Sequence, residues 1–439
     1  MDDTGQGSAP QPATTARQPR SFAAILGAIA VAGGGLRLSY ALLELRHHRL
    51  RGDAYYFSQL GTLLAQGRGF INPYALAYFG RERQTAQHPP LYSLYLAGVS
   101  WLGGRTEMWH RVASCLLGAV TVFVIGLLAA MVAGHRAGLV AAALAALYPN
   151  FWANDVFVLS ESMTALVLAL VLIAAYAFIT RPSARRAALL GASIGVAALT
   201  RAEAAALLLL LVCPIAFRAR ATAGKRIAYV AGASAAAALV VAPWIAFNLT
   251  RFDRFVGLST GGPGGTMVIG SCNVAFYGSL IGLGDPTCGP HIRRDPFSVD
   301  ESQEEHDHLV FALRYIRKNK TQLPVVVTAR FGRVWDAFRP WQTAQLESVD
   351  RGVWPMRLAV VGYDVVLPLA VAGVIVLRRR RTPIAPLVST IVLVSLVAAV
   401  FEGTTRYRVA ADVSLMVLAG VTVDAVWKIA SKPADAPRV

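Results

Sequence analysis

Side chains able to move protons or hold anions recur in a few short motifs spread along most of this chain. Asp53 stands in Gly52-Asp53-Ala54-Tyr55-Tyr56, and His88 in His88-Pro89-Pro90-Leu91-Tyr92. Asp155, Glu161 and Ser162 flank the start of one apolar run, Thr200-Arg201-Ala202-Glu203 separates two others, and Arg406-Tyr407-Arg408 opens the last. Each motif also has an ordinary structural reading. Asp53 could cap the helix predicted from Ala54 to Ala65, which Gly67 and Gly69 would end. His88 could be a turn residue, because two prolines after it hold the chain extended into the stretch Leu91 to Leu102. Glu161 and Arg201 could pair between neighbouring helix ends. Arg37 and Arg111, set within apolar runs, read as groups that snorkel to the membrane surface or brace the fold.

The elements that must position these residues are apolar. Hydrophobic residues make up 55% of the sequence and charged residues 15%, with a mean hydropathy of +0.49. Soluble domains carry roughly 25% charge, so this composition belongs to a membrane protein. A bilayer core about 30 Å thick takes about 20 apolar residues in a helix. Ten runs of that order lie near 22–45, 109–131, 136–149, 159–180, 187–200, 203–217, 227–247, 357–377, 383–401 and 408–427. The expected fold is therefore an all-α polytopic membrane protein of about ten transmembrane helices. Two long loops, 46–108 and 248–356, carry juxtamembrane helices, residues 1–20 and 431–439 form tails, and the transmembrane domain spans 21–430. The first run has no small-residue cleavage site after it and reads as a retained span.

The net charge of +17 comes from short clusters between apolar runs rather than one basic face, which excludes nucleic acid as the partner. Arg17 and Arg20, Arg136, Arg181, Arg185 and Arg186, Arg218, Arg220, Lys225 and Arg226, Arg378 to Arg381, and Lys428 and Lys432 all fall on one side of ten alternating crossings. Cytoplasmic loops are enriched in Lys and Arg, so that side is inside, with both termini. The two long loops then face out, and so does every motif above. Ionisable groups at the membrane edge cost about a few kcal/mol each unless paired or wetted, so their gathering on one face implies a hydrated cleft. Cys115 and Cys213 fall within spans. Cys272 and Cys288 share the second outer loop, where an oxidising compartment permits a bridge, two free thiols being the alternative.

The order Asp53-x-Tyr-Tyr, His88-Pro-Pro-Leu-Tyr, Ser160-Glu161, Leu199-Thr200-Arg201-Ala202-Glu203, Ala242-Pro243-Trp244 and Arg406-Tyr407-Arg408 resembles the C-type membrane glycosyltransferases. It is most similar to the bacterial branch of protein O-mannosyltransferases and lipid A aminoarabinose transferases, over residues from about 36 to 420. The resemblance implies an inverting hexosyl- or pentosyltransferase of the bacterial plasma membrane. It would move one sugar from a polyprenyl-phosphate donor to a hydroxyl of a lipid, glycan or protein at the extracytoplasmic face. Such a transfer needs a base for the acceptor proton and positive charge on the departing phosphate. Asp53 matches the family's base, with Asp155 or Glu161 beside it to orient the acceptor and raise its basicity. His88, Arg201 and Arg406 are the expected phosphate contacts, and Tyr55, Tyr56, Tyr92, Glu203 and Arg408 further substrate contacts.

Two departures matter. His88 stands where the aminoarabinose transferases have lysine, so that contact would lose charge as pH rises. Asp53-Ala54 stands where protein mannosyltransferases have an acidic pair, which argues against a protein acceptor. The large outer C-terminal domain of some relatives is not expected. No cofactor is implied; a divalent metal is conceivable, but Asp295, Glu304, His306 and His308 lack the spacing of a metal site. Gly261-Gly262-Pro263-Gly264-Gly265 reads as a mobile lid rather than a phosphate loop. Glu301 to Lys318 has the period of a helix lying on headgroups. Trp335, Trp341 and Trp354 read as interfacial anchors. A transporter or flippase of lipid-linked sugars is the rival reading. It would share the spans and arginines, but the polar groups here sit at one rim rather than between two similar halves. A noncatalytic scaffold has no need of acidic and basic groups drawn from five distant segments.

Overall fold

The computed structural model describes residues 20–289 and 297–431. Arg17, Asp295, Lys432 and nearly all of both expected tails lie outside those residues. All ten apolar runs fold as helix. Ser21–Leu43, Glu107–Ala133, Glu161–Thr180, Ala223–Leu249, Val353–Arg379 and Thr405–Ala430 are long and apolar enough to cross a membrane. His135–Leu147, Ala202–Phe217 and Ala385–Val400 are shorter apolar helices, and Ala184–Ala198 is the tenth. Among the described residues, β structure is confined to one antiparallel bridge, Ile71 with Gln84.

Local chemistry sets the boundaries. The side chains of Thr106, Ser183, Thr222 and Thr404 accept from backbone N–H groups that a helix start leaves unpaired. Gly134, at φ +99°, lets Ala133 turn directly into His135, a conformation a side chain would resist. The run expected as one helix at 203–217 is instead a 3-10 turn Ala202–Ala206, a π segment Leu208–Val212 and an α turn Cys213–Phe217. Pro214 is the reason: it has no N–H to donate and its ring crowds the carbonyl four residues back, so the ladder widens.

Thr405–Ala430 is the hub. Buried residues fill 83% of its most apolar window, against 17% for the peripheral Ala223–Leu249. It packs on Val353–Arg379, His135–Leu147, Ala385–Val400 and Glu161–Thr180. Lipid gives helices no hydrophobic reason to associate, so close backbone approach at small residues must do it. Gly420 illustrates this, because a Cβ there would lie 2.7 Å from the Ala137 carbonyl oxygen. The hub thus fixes its own first turn, where Arg406 lies.

The loop 46–108 folds into Gly52–Ala65, Pro73–Phe79 and Leu91–Trp101, and the described residues of the loop 248–356 into five α-helices, Glu301–Lys318 among them, and one short 3-10 helix. One buried carboxylate stitches the two together. Glu301 accepts from Asn72 Nδ2 at 2.9 Å, Thr85 Oγ1 at 3.0 Å, the Ala86 amide at 3.0 Å and Thr260 Oγ1 at 2.7 Å. Thr260 and Gly261 amides donate to the Ala86 and Gln87 carbonyls at 2.8 and 3.1 Å, which fixes the chain entering His88. The glycine-rich segment departs from the expected lid. Pro263 opens the helix Pro263–Ile269, and Glu305 accepts from the Gly264 and Gly265 amides at 2.7 Å each. A carboxylate bridging two first-turn amides pins that segment, because the helix N-terminus favours negative charge. Cys272 and Cys288 are bridged, with Cα atoms 5.6 Å apart, and Cys115 and Cys213 are free.

Candidate active site

Asp53 lies in the first turn of Gly52–Ala65 and does not cap it; Arg51 holds the cap position without a side-chain bond. Its carboxylate faces outward from that helix toward the hub. Asp53 Oδ2 is 2.9 Å from Arg406 Nη2, and Oδ1 is 3.5 Å from His88 Nε2. The same Arg406 donates Nε to Glu161 Oε1 at 2.9 Å, and Arg201 Nη1 reaches that oxygen at 2.9 Å. Arg201 Nε also donates to Glu203 at 2.5 Å. Basic and acidic side chains therefore alternate along His88, Asp53, Arg406, Glu161, Arg201 and Glu203, brought together from five segments.

Burial separates support from working surface. The Glu161 side chain is fully buried, while those of Asp53, His88, Arg201, Arg406 and Glu203 are 30, 25, 19, 22 and 27% exposed. Glu161 is the anchor that holds two guanidiniums side by side, and the other five line a wetted rim. Below them a cleft continues between Thr164, Leu168, Ala204, Leu393, Val409 and Ala410. His88 packs against a tilted Phe57 ring and an edge-on Tyr56 ring, with centroids at 4.7 and 5.0 Å. Phe57 is four residues after Asp53, so one face of Gly52–Ala65 presents both.

Burial disfavours charge on Asp53, but Arg406 and His88 outweigh it and hold the carboxyl well below the usual carboxylate range. This reverses the expectation that neighbouring acids raise Asp53. Asp155 is not beside it at all. Asp155 Oδ2 accepts from Arg37 Nε at 2.7 Å, both side chains are buried, and Arg37 also donates to the Gly33 and Ala146 carbonyls. Arg37 and Arg111 are each 1% exposed, so both brace the fold and neither snorkels.

Three expected substrate contacts are likewise interior. Tyr92 is fully buried, its hydroxyl 2.6 Å from Ser114 Oγ. Tyr56 is 1% exposed with its hydroxyl 2.9 Å from Thr85 Oγ1, so it supports His88 from below. Arg408 is fully buried, donates to Asp336 at 2.5 Å, approaches Asp412 at 3.4 Å and covers the Tyr363 ring at 3.8 Å. Residues two apart on a helix face away from each other, so Arg406 and Arg408 could never share a site. Tyr55 remains half-buried beside the Tyr74 ring at 5.3 Å.

Tyr407 and Glu402 went unassigned in the sequence reading. Arg201 lies 5.1 Å above the Tyr407 ring, and the Tyr407 hydroxyl donates to Glu402 at 3.1 Å. The Arg-Tyr-Arg motif held the signal, since its middle residue shares the cleft with Arg406. Trp341 and Trp354 are exposed, at 55 and 69%, as anchors require, whereas Trp335 donates inward to Ser395 Oγ at 3.2 Å. Glu304 pairs with Arg83 at 3.0 Å. Among the described residues no three His, Cys, Asp or Glu side chains converge as metal ligands. Asp53 and Glu161, which could begin such a set, are instead occupied by guanidinium.

Residues 87–247 match the family model described as dolichyl-phosphate-mannose-protein mannosyltransferase. No curated protein sequence matches the chain. The structure superposes on the archaeal oligosaccharyltransferase AglB from Archaeoglobus fulgidus, in complex with an inhibitory peptide and a dolichol-phosphate, with a TM-score of 0.56 at 15% identity. That superposition covers 96% of this chain and 52% of the archaeal one, so the chain spans about half the length of that protein. A looser superposition, TM-score 0.43 at 17% identity, covers 92% of this chain and 78% of ArnT from Cupriavidus metallidurans bound to undecaprenyl phosphate. The apolar helices and the superposition identify the chain as a multi-pass membrane protein that shares the helical fold of the archaeal oligosaccharyltransferase.

Proposed function

We propose that this protein is an inverting glycosyltransferase that moves one sugar from a polyprenyl-phosphate carrier to an acceptor hydroxyl at the extracytoplasmic face of a bacterial plasma membrane. The observation that carries the reading is the pair of guanidiniums, Arg201 and Arg406, held on one Glu161 oxygen next to the Asp53 carboxylate. Support also comes from the archaeal oligosaccharyltransferase that shares this fold, whose structure is in complex with a dolichol-phosphate.

Asp53 takes the proton from the acceptor hydroxyl while that oxygen bonds to the anomeric carbon from the face opposite the phosphate. The bond from that carbon to the phosphate oxygen breaks, and its electron pair leaves with the phosphate. The carrier starts as a diester with one negative charge and ends as a monoester with nearly two, so Arg201, Arg406 and His88 hold it more strongly as the bond breaks. Arg406 links the two halves of the reaction. When its Nη2 turns from Asp53 to the arriving phosphate, Asp53 loses the cation that suppresses its basicity, and it becomes a better base only when donor is bound.

Stereochemistry is the test. A donor of known anomeric configuration should give product of the opposite configuration, read from the anomeric proton coupling. Product of unchanged configuration would exclude a single displacement with Asp53 as base.

A further inference from the structure

The segment Arg46-His47-His48-Arg49-Leu50-Arg51 runs directly into Gly52 and Asp53. By the alternation of the spans it lies on the face opposite the basic turns at 181–186, 218–226 and 378–381. Arginines placed immediately after a span on the outer side run against the charge bias that orients membrane proteins, so their presence calls for another cause.

The segment is built rather than loose. Leu45 and Leu50 are 4 and 5% exposed and fix it at both ends. Arg111, itself buried, donates to the His48 carbonyl at 2.8 Å, and the Leu50 amide donates to Glu107 at 3.0 Å. Between these ties Arg46, His47, His48 and Arg49 are exposed, as is Arg51. None of the three arginines has a side-chain ion pair or hydrogen bond among the described residues. Other arginines of the same loop are neutralised: Arg68 by Glu82 at 2.5 Å and Arg83 by Glu304 at 3.0 Å. Of the nearby acids, Glu107 is turned inward onto Leu50 and Glu44 pairs with none of the three.

Depth names the ligand. Leu42 and Leu43, which end the first span, are 44 and 78% exposed, so their side chains meet lipid and the next residues stand at headgroup level. Cations there attract anionic headgroups. We infer that Arg46, Arg49 and Arg51, flanked by His47 and His48, bind the phosphate of a hydroxyl-bearing anionic lipid in the outer leaflet and present it to Asp53 as the sugar acceptor. Arg51 is the extended residue that precedes Gly52–Ala65 and Asp53 lies in that helix's first turn, at most ~7 Å away between Cα atoms, so a headgroup held by Arg51 sits at the same helix end as the carboxylate. The acceptor role rests on the glycosyltransferase reading; the headgroup site does not.

Titration of the purified full-length protein with dihexanoylphosphatidylglycerol and dihexanoylphosphatidylcholine, without sugar donor, tests it. Wild type should bind the anionic lipid at least tenfold more tightly than the zwitterionic one. The triple variant Arg46→Gln, Arg49→Gln, Arg51→Gln should lose that preference, while Asp53→Asn keeps it. The single variant Arg49→Gln, with an unchanged melting temperature, should show a partial loss and guards against misfolding of the triple variant. Equal affinity for the two lipids in wild type, or wild-type preference in the triple variant, overturns the site. Inorganic phosphate binding as tightly as the anionic lipid overturns the lipid acceptor in favour of a free anion. Headgroup preference without any sugar transfer would leave the site standing and fail the enzyme reading instead.

Discussion

Arg406 and Asp53 are 2.9 Å apart, Nη2 to Oδ2, although they come from the last span and the first outer loop. The Arg406 Nε is held by buried Glu161. One guanidinium therefore ties the proposed base to the proposed anion site, and its removal should be felt in the base's titration. Asp53 has a depressed folded pKa, so this pair contributes stability above the unfolded value of ~3.9, and that contribution is lost as pH falls through the folded value.

In Arg406→Gln, burial loses its main opponent and the Asp53 pKa rises. At limiting donor, where the profile reports the free enzyme in which Arg406 still faces Asp53, the variant's rate should fall toward acid through a limb that wild type lacks above pH ~4. Parallel pH profiles would show that Arg406 does not control Asp53.

Glu161→Gln replaces the carboxylate that Arg201 and Arg406 share with a neutral amide, so neither guanidinium keeps its buried counter-charge. Breaking a buried pair by removing one partner costs about 3 kcal/mol or more. The melting temperature should drop, and the transfer rate should drop further than unfolding explains, because the guanidiniums separate. A variant as stable and active as wild type would remove Glu161 as the anchor.

Arg201→Ala removes a cation from the rim but leaves Asp53 and its contact to Arg406. Donor binding should weaken about tenfold, since a charge-assisted hydrogen bond contributes about 1.5–3 kcal/mol. Titration with a polyprenyl phosphate, read as competition against the donor, checks this. Unchanged affinity would place the phosphate elsewhere.

Tyr92→Phe removes a hydroxyl that faces Ser114 and not the cleft. Its donor KM should equal that of wild type, with stability lower by about 1 kcal/mol. A raised KM at wild-type stability would return Tyr92 to the substrate side.

The spans were legible because twenty apolar residues have few alternatives, and the helix Glu301–Lys318 because its apolar period is regular. Grouping by face was legible too: His88, Asp53, Arg201, Glu161 and Arg406 do converge. Which member of a motif points inward was harder. Arg408 and Tyr92 stand within one or a few residues of true rim groups, and only helix phase separates them from it. Asp155 was misplaced for another reason. Its partner Arg37 comes from the first span, and no local pattern announces a pair between distant helices. The glycine-rich segment looked mobile because its restraint, Glu305, lies far along the chain.

Asp53→Asn carries the central claim. Purified wild type and variant in lipid, supplied with radiolabelled polyprenyl-phosphate sugars and native membrane extract as acceptor, should differ in one respect. Wild type transfers label, and the variant, equally folded and inserted, transfers at least 100-fold less, as expected for loss of a general base. Wild-type turnover in Asp53→Asn would contradict the account, and label moved across sealed vesicles without transfer by either protein would make this chain a transporter.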